Sequence, residues 1–216
     1  MFIFTEENIK KINNAVYSHE GMKDKHAKKI EYAKTKGIFK DLDLSKYLHK
    51  KPPKNSSIRT YHELMYLKDL PEDIQYVKEH DDIESVFESV CNENNVDYPK
   101  DLVKEIINSS AGLIHELKYH YNRPRPYQLA EYYNMKLGHT TLESMKTPSY
   151  PSGHSAQGIL IGKVLQTKLP ITTDSFLEAG KRISYSRNIG RAHYPSDSEL
   201  GEILGNRMYE YIKHKI

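Results

Sequence analysis

The chain has 216 residues, with 32 basic and 29 acidic side chains and a formal net charge of +3. This length allows one substantial hydrophobic core, so we expect a single domain. The near balance of charges argues against a nucleic-acid polymer as partner. The one cysteine, Cys91, excludes an intramolecular disulfide and a cysteine-based zinc site.

Neither a membrane span nor an export signal is evident. No stretch approaches the ~18–20 apolar residues that a spanning helix needs. The chain starts Met-Phe-Ile-Phe and becomes charged at Glu6 and Glu7, whereas a secretory signal needs a basic start and an apolar segment of ~7–15 residues. We therefore expect no membrane span and a cytoplasmic location.

Apolar residues recur at helical spacing through nearly the whole chain, and strand-like alternation is scarce. The first predicted helix runs from a Thr5 cap to about His19. The second covers the lysine-rich residues 23–36; we interpret its charge as a solvated face, with anion binding as the alternative. A breaker segment at 50–57 follows. Further helices are predicted at 60–70, 81–91, 99–121, 155–168, 173–188 and 196–215, with a turn after Pro71. The predicted fold class is all-α.

The last of three polar segments is Ser186-Arg-Asn-Ile-Gly-Arg-Ala-His-Tyr-Pro-Ser-Asp197. Gly190 can supply a left-handed helix cap, and a Ser-x-x-Glu capping box at 196–199 can start the next helix. These signals place His193 in a turn and Asp197 in the following first helical turn. Asp197 could then hold one ring nitrogen of His193 and leave the other free to attack. The alternative is a surface hydrogen-bond pair.

The middle segment is Tyr150-Pro-Ser-Gly-His154, followed by the apolar residues of a predicted helix. Proline and serine before such residues predict a helix start, where backbone N–H groups lack an intrahelical partner. Gly153 lets an anion approach this backbone, and the helix dipole favours negative charge there. His154 would lie beside the anion and could act as a general acid towards a leaving oxygen. The alternative is an ordinary cap with an exposed histidine.

The first segment, Lys118-Tyr-His-Tyr-Asn-Arg-Pro-Arg-Pro126, supplies cations. Arg125 lies between two prolines, which exclude regular helix and stiffen the backbone. Its planar guanidinium can offer two donors to phosphate oxygens, whereas Lys118 acts as a point charge. Arg123 could point into solvent or towards a carboxylate. The alternative is a basic, proline-rich helix terminus.

The three segments match the signature Lys-x6-Arg-Pro, Pro-Ser-Gly-His and Ser-Arg-x5-His-x3-Asp. The sequence thereby resembles the type 2 phosphatidic acid phosphatase and vanadium haloperoxidase superfamily. The matching residues are Lys118, Arg125, Pro126, Pro151, Ser152, Gly153, His154, Ser186, Arg187, His193 and Asp197. Finer features, such as Ser149-Tyr150 before the proline, are similar to the soluble bacterial class A non-specific acid phosphatases. The resemblance covers about residues 50–215.

The resemblance implies a helical bundle with a metal-free site between helices and phosphomonoesterase activity. It implies that His193 is the nucleophile that forms a phosphohistidine, that Asp197 orients it, and that His154 is the general acid and base. The groups implied to stabilise the phosphate oxygens are Lys118, Arg125, Arg187, Ser152 and Gly153. Three cations and a helix N-terminus suit charge that is spread over three oxygens.

The resemblance also sets expectations for organisation and partners. We expect one all-α domain over residues 1–216, with an N-terminal helical extension at 1–49 and a phosphatase core at 50–216. The expected partner is a small phosphate ester. No cofactor is expected, although vanadate or phosphate can occupy the site. The formation of a homo-oligomer is left open. Pro148 and Ser155 stand where class A enzymes usually have Gly and Thr. The export leader typical of that class is also missing, and we therefore expect a narrower substrate, such as a nucleotide.

Three other functions use the same signature. A vanadium-dependent haloperoxidase would bind vanadate through His193, but such enzymes are typically much larger and carry further residues for halide. A lipid phosphate phosphatase is disfavoured by the lack of membrane helices. A non-catalytic phosphate-binding module would be expected to lose one of the two histidines or Asp197, and the chain keeps all three.

Overall fold

The computed structural model describes residues 5–18, 21–170 and 174–216. Within these ranges the regular structure is helical and includes no strand, which confirms the all-α class. Two 3-10 helices lie at Ser45–His49 and Glu143–Met145. The α-helices are α1 (Glu6–Asn14), α2 (Asp24–Thr35), α3 (Ile58–Asp69), α4 (Ile74–Glu79), α5 (Ile83–Glu93), α6 (Lys100–Tyr121), α7 (Pro126–Tyr132), α8 (Gly153–Lys168), α9 (Ser175–Ile189) and α10 (Pro195–Ile212).

The predicted helices are present, and the largest difference in their ends is at α1. The Thr5 hydroxyl accepts the N–H of Asn8 at 3.2 Å, which confirms the predicted cap. Helix α1 ends at Asn14, well before the predicted end at His19. His19 lies outside the described residues, and so does Thr173, the predicted start of the helix that the structure describes as α9. A side chain from elsewhere in the chain binds the carbonyls at this early helix end. The Asn55 side chain donates to the carbonyls of Ile12 and Ala15 at 3.1 and 2.8 Å.

Helix α7 was not predicted, because the two prolines beside Arg125 were expected to exclude helix. Proline is tolerated at the first helical position, where its missing N–H would have no partner. Pro126 occupies that position, with Arg125 as the cap residue. The prolines therefore end α6 and start α7, and Arg125 lies at the junction.

Helix α8 is the centre of the bundle, and its residues from Ser155 to Gly162 are all buried. Helices α9 and α10 approach its backbone closely at glycines. A Cβ atom at Gly180 would lie 2.4 Å from the carbonyl oxygen of Gly158, and one at Gly205 would lie 2.4 Å from that of Ala156. These contacts make α9 antiparallel and α10 parallel to α8. They bring the end of α9 and the start of α10 to the start of α8.

Helices α1 and α2, in the predicted N-terminal extension, pack on the rest of the chain. A Cβ atom at Gly112 of α6 would lie only 2.1 Å from the carbonyl oxygen of Lys29 of α2. The hydroxyl of Tyr32 donates to Glu105 of α6 at 2.8 Å. Ile12 of α1 packs in an apolar cluster that also includes residues of α3 and α7. Among the helices described here, none combines the length and hydropathy needed to cross a bilayer.

Candidate active site

The three polar segments meet at one cavity of about 260 Å³, at the N-terminus of α8. Of the predicted site residues, Lys118, Gly153, His154 and His193 line this cavity. The others lie behind the lining and contact the lining residues or their neighbours. A larger cavity of about 380 Å³ nearby includes neither of the two histidines.

The carboxylate of Asp197 is the central acceptor of the site. It is fully buried. It accepts from Arg123 Nη1 at 2.6 Å, from His193 Nδ1 at 3.2 Å and from the backbone N–H of Tyr194 at 3.1 Å. The hydroxyl of Ser149 also donates to it. Burial by itself raises the pKa of Asp197, but Arg123 and these hydrogen bonds outweigh burial and hold the pKa well below its usual range.

The start of α10 differs from the prediction. The helix begins at Pro195 with Tyr194 as its cap residue, so the predicted capping box at 196–199 is wrong. Proline at the first helical position fixes this start. The carboxylate that accepts the N–H of the cap residue is therefore that of Asp197, the third helical residue, and not that of Glu199. The Glu199 side chain instead forms an exposed ion pair with Arg59 at 2.6 Å.

The predicted left-handed cap at Gly190 is also wrong. Gly190 has φ −73° and ψ −2°, and the following Arg191 has φ 53°. A left-handed arginine is less favourable than a glycine, but its guanidinium is anchored. It donates to the carbonyls of Leu67 and Leu70 at 3.0 and 2.8 Å. This anchor ties the turn before His193 to the end of α3.

The hydrogen bonds of His193 determine which ring nitrogen carries the proton. Arg125 Nη1 lies 2.9 Å from Nε2. A guanidinium can only donate, so Nε2 must be the acceptor and carry a lone pair. The proton is then on Nδ1, from which it is donated to Asp197. Burial and the charge of Arg125 lower the pKa of His193 well below its usual value, so the ring is neutral.

Arg123 takes the second of its two predicted directions and points to carboxylates. Its side chain is buried, and besides Asp197 it reaches Glu63 at 3.3 Å. The guanidinium stacks on the ring of Tyr194 at 3.8 Å. Glu63 in turn accepts the N–H and the hydroxyl of Ser196, both at 2.9 Å. Sequence reasoning assigned no role to Glu63, which lies in α3 far along the chain from these partners.

His154 lies in the first turn of α8, and its environment includes a carboxylate that sequence reasoning missed. His154 Nε2 lies 3.0 Å from the backbone oxygen of Asp81 and 3.6 Å from its carboxylate. The carboxylate also binds Arg187 Nη1 at 2.6 Å. The sequence contained a sign of this role. Two aspartates, Asp81 and Asp82, precede α5, and only Asp82 is needed to cap that helix, which leaves Asp81 for another task.

Burial and Arg187 lower the pKa of His154 to about 3, so its ring is neutral near neutral pH. A backbone carbonyl can only accept a hydrogen bond. Nε2 therefore carries the ring proton and donates it to Asp81. The lone pair is on Nδ1, which is the nitrogen that can take up a second proton.

The predicted anion-binding groups are all close to the cavity, but most of their donors have partners. Lys118 Nζ donates to the carbonyls of Pro148 and Ser149 at 2.7 and 3.2 Å. Burial lowers its pKa well below the usual value, and Arg125 adds to the shift. Arg125 is fully buried and donates to three backbone carbonyls besides the His193 ring. Burial lowers its pKa to about 10, so it keeps its charge.

Ser152 is the cap of α8, as its position before the apolar residues predicts. Its hydroxyl accepts the N–H of Ser155 at 3.2 Å, and its own N–H donates to the carbonyl of Asp197 at 2.9 Å. Ser152 thus joins two of the polar segments. The N–H groups of Gly153 and His154 belong to the first helical turn, where no intrahelical acceptor exists. Both residues line the cavity.

Comparison with known proteins identifies the family of the chain. Residues 105–211 match the model of the PAP2 superfamily, and this stretch contains all three polar segments. The chain belongs to the PAP2 superfamily. It is similar to a non-specific acid phosphatase of Salmonella typhimurium, with 35% identity over 89 residues. The match covers 41% of this chain and 35% of the relative, so the chain spans about a third of that relative's length.

The buried Arg123 generates a stability prediction. Arg123→Ala leaves the buried carboxylate of Asp197 without its cation and that of Glu63 with only an exposed arginine nearby, and we expect it to lower the free energy of unfolding by about 3–5 kcal/mol. The control Arg59→Ala removes an exposed arginine that pairs with Glu199 and Glu63, and we expect a loss of less than about 1 kcal/mol. Urea denaturation measures both. Equal small losses would contradict the structural role of Arg123.

Proposed function

We propose that this protein is a phosphomonoesterase that hydrolyses a small phosphate ester through a phosphohistidine on His193. The observation that carries the proposal is the state of His193 at the cavity. Its ring is neutral, its Nδ1–H is held by Asp197 and the lone pair is on Nε2. A neutral imidazole with an oriented lone pair is an activated nucleophile. The acid phosphatase named above supports the reaction class.

The cavity supports a small substrate. Its volume of about 260 Å³ is slightly below the ~300–1,000 Å³ typical of pockets for drug-sized ligands. Its lining is rich in cations and imidazoles and contains few apolar side chains, which suits a polar phosphate ester better than a lipid chain. We propose that no metal or organic cofactor takes part, because imidazole and cationic groups supply both the nucleophile and the charge stabilisation.

In the first step His193 Nε2 attacks phosphorus, and the bond from phosphorus to the ester oxygen breaks. His154 Nδ1, which has taken up the proton that the substrate monoanion carries, gives it to that oxygen, so the alcohol leaves neutral. In the second step His154 takes a proton from a water molecule whose oxygen attacks phosphorus. The bond from phosphorus to Nε2 breaks, and His154 passes its proton to the inorganic phosphate that is released, which regenerates both neutral histidines.

The cations would stabilise the phosphate oxygens during both steps. A phosphate oxygen close to His193 Nε2 would take over the N–H that Arg125 Nη1 donates to that nitrogen at 2.9 Å, which frees the Nε2 lone pair for attack. The charged form of Lys118, which a nearby phosphate favours, has three N–H groups and two carbonyl partners, so one N–H stays available. Arg187 would exchange its contact with Asp81, whose side chain is 38% exposed, for a phosphate oxygen. The first-turn N–H groups of α8 complete the set.

The reaction class can be tested by phosphate release from para-nitrophenyl phosphate. We expect turnover that persists with a chelator, is inhibited by vanadate, and falls at least about a thousandfold in His193→Ala. The control His214→Ala changes an exposed histidine near the C-terminus and should keep wild-type activity. Loss with chelator that added metal restores, or halide oxidation with vanadate and peroxide in place of phosphate release, would overturn the proposal.

The role of His154 predicts a dependence on the leaving group. Para-nitrophenolate leaves without a proton, whereas an alkoxide needs one. His154→Ala should therefore lower kcat/KM for an alkyl phosphate by about 10²–10⁴-fold and affect para-nitrophenyl phosphate much less. Both substrates are assayed with the same enzyme preparation. Equal losses on the two substrates would rule out proton donation to the leaving oxygen.

The lowered pKa of His154 predicts the pH dependence. Because this pKa is about 3, the ring is neutral above that pH, and the proton for the leaving group must arrive with the substrate monoanion. An alkyl phosphate loses that proton with a pKa of about 6. We expect kcat/KM to be level below about pH 6 and to fall about tenfold per unit above it. A kcat/KM that stays level up to pH 8 would contradict the claim that the substrate monoanion brings the proton.

A further inference from the structure

The outer wall of the cavity is built by a part of the chain that the family match does not include. Lys25, His26 and Lys29 of α2 line the cavity together with the catalytic histidines, and α2 precedes the matched residues 105–211. Lys25 and Lys29 are one helical turn apart, so both point to the same side of α2. Lys146, from the segment after the 3-10 helix Glu143–Met145, lines the same cavity.

These lysines are carried by a firmly docked helix. Besides the close approach at Gly112 and the Tyr32 bond to Glu105, Lys34 forms an ion pair with Glu116 at 2.7 Å. The ring of His26 is 4.7 Å from that of His115, and its Nδ1 lies 2.7 Å from the hydroxyl of Tyr119. The position of the lysine backbone relative to the catalytic histidines is therefore fixed by packing on α6.

The charges on this wall are only partly neutralised. Lys146 pairs with Glu143, which also lines the cavity, at 2.6 Å. Within the part of the chain that the structure describes, Lys25 and Lys29 form no ion pair. Both are exposed. Burial is the main cause that lowers the pKa of His26, and the positive charges of Lys25 and Lys29 lower it further.

We propose that Lys25 and Lys29 form a second anion subsite, so that preferred substrates carry a second phosphate group besides the one that is cleaved. This proposal rests on the proposed phosphomonoesterase function and specifies its substrate class. Lysine ammonium groups are suited to a freely oriented phosphate, because each acts as a point charge with three donors. The catalytic cations bind the reacting phosphate, and the α2 lysines select for the remote one.

The test compares matched substrates that differ by one phosphate. Adenosine 5′-monophosphate is compared with adenosine 3′,5′-bisphosphate, and glucose 6-phosphate with glucose 1,6-bisphosphate. Opposite charges in contact are worth about 1 kcal/mol in water, or about fivefold each. We therefore expect kcat/KM to be about tenfold or more higher for the bisphosphates at low salt. The preference should shrink as salt screens the exposed lysines.

A matched pair of double variants assigns the preference to the subsite. Lys25→Gln/Lys29→Gln should abolish the preference, whereas its activity on para-nitrophenyl phosphate should stay within about twofold of wild type. Lys28→Gln/Lys36→Gln removes the same charge from exposed positions of the same region that do not line the cavity. This control should keep the full preference. Equal loss in both double variants would overturn the subsite.

A binding experiment separates failure of the subsite from failure of catalysis. The same nucleotide pair is titrated by calorimetry into His193→Ala, with and without the two α2 substitutions. Tighter binding of the bisphosphate that depends on Lys25 and Lys29 supports the subsite even if turnover is absent. If para-nitrophenyl phosphate is hydrolysed but neither rate nor affinity distinguishes one phosphate from two, the subsite is wrong and the phosphomonoesterase proposal stands.

Discussion

The buried carboxylate of Asp197 is the interaction on which the rest of the site depends. A full negative charge in a protein interior is strongly unfavourable unless it is paired and hydrogen-bonded. Arg123 supplies the paired charge, and Ser149, His193 and the Tyr194 N–H supply hydrogen bonds. These donors come from the ends of two loops and from the start of α10. One side chain therefore joins segments that are far apart in sequence.

The two carboxylates near the cavity have different environments and so different proposed tasks. Asp197 is fully buried and fixes the proton of His193 on Nδ1, whereas Asp81 is partly exposed and holds both Arg187 and His154. Exposure makes Asp81 a partner that a phosphate can displace from Arg187 at moderate cost. Asp197 cannot be displaced in this way, because its loss would leave Arg123 and His193 without an acceptor. The more deeply buried carboxylate is thus on the side of His193, the proposed nucleophile.

Periodicity predicted most helices, and the spacing of residues within the three polar segments predicted the family, because both are local properties of the sequence. The misses have physical reasons. Pro126 and Pro195 start helices at the first helical position, where proline costs nothing, and an anchored Arg191 takes the left-handed conformation expected of Gly190. Asp81 and the lysines of α2 join the site only through tertiary packing. The lysines of residues 23–36 are exposed, which agrees with the solvated-face interpretation, but the packing of α2 on α6 also places Lys25 and Lys29 along the cavity.

The most direct test of the central claim is the protonation state of His193, measured by nitrogen-15 NMR of the histidine-labelled protein near neutral pH. The His193 signals are identified by their loss in His193→Gln. The structure predicts a neutral ring with the proton on Nδ1 and the lone pair on Nε2, and a loss of this preference in Asp197→Asn. A charged imidazolium, or a neutral ring with the proton on Nε2, would contradict the claim that Asp197 and Arg125 keep the lone pair of His193 on Nε2.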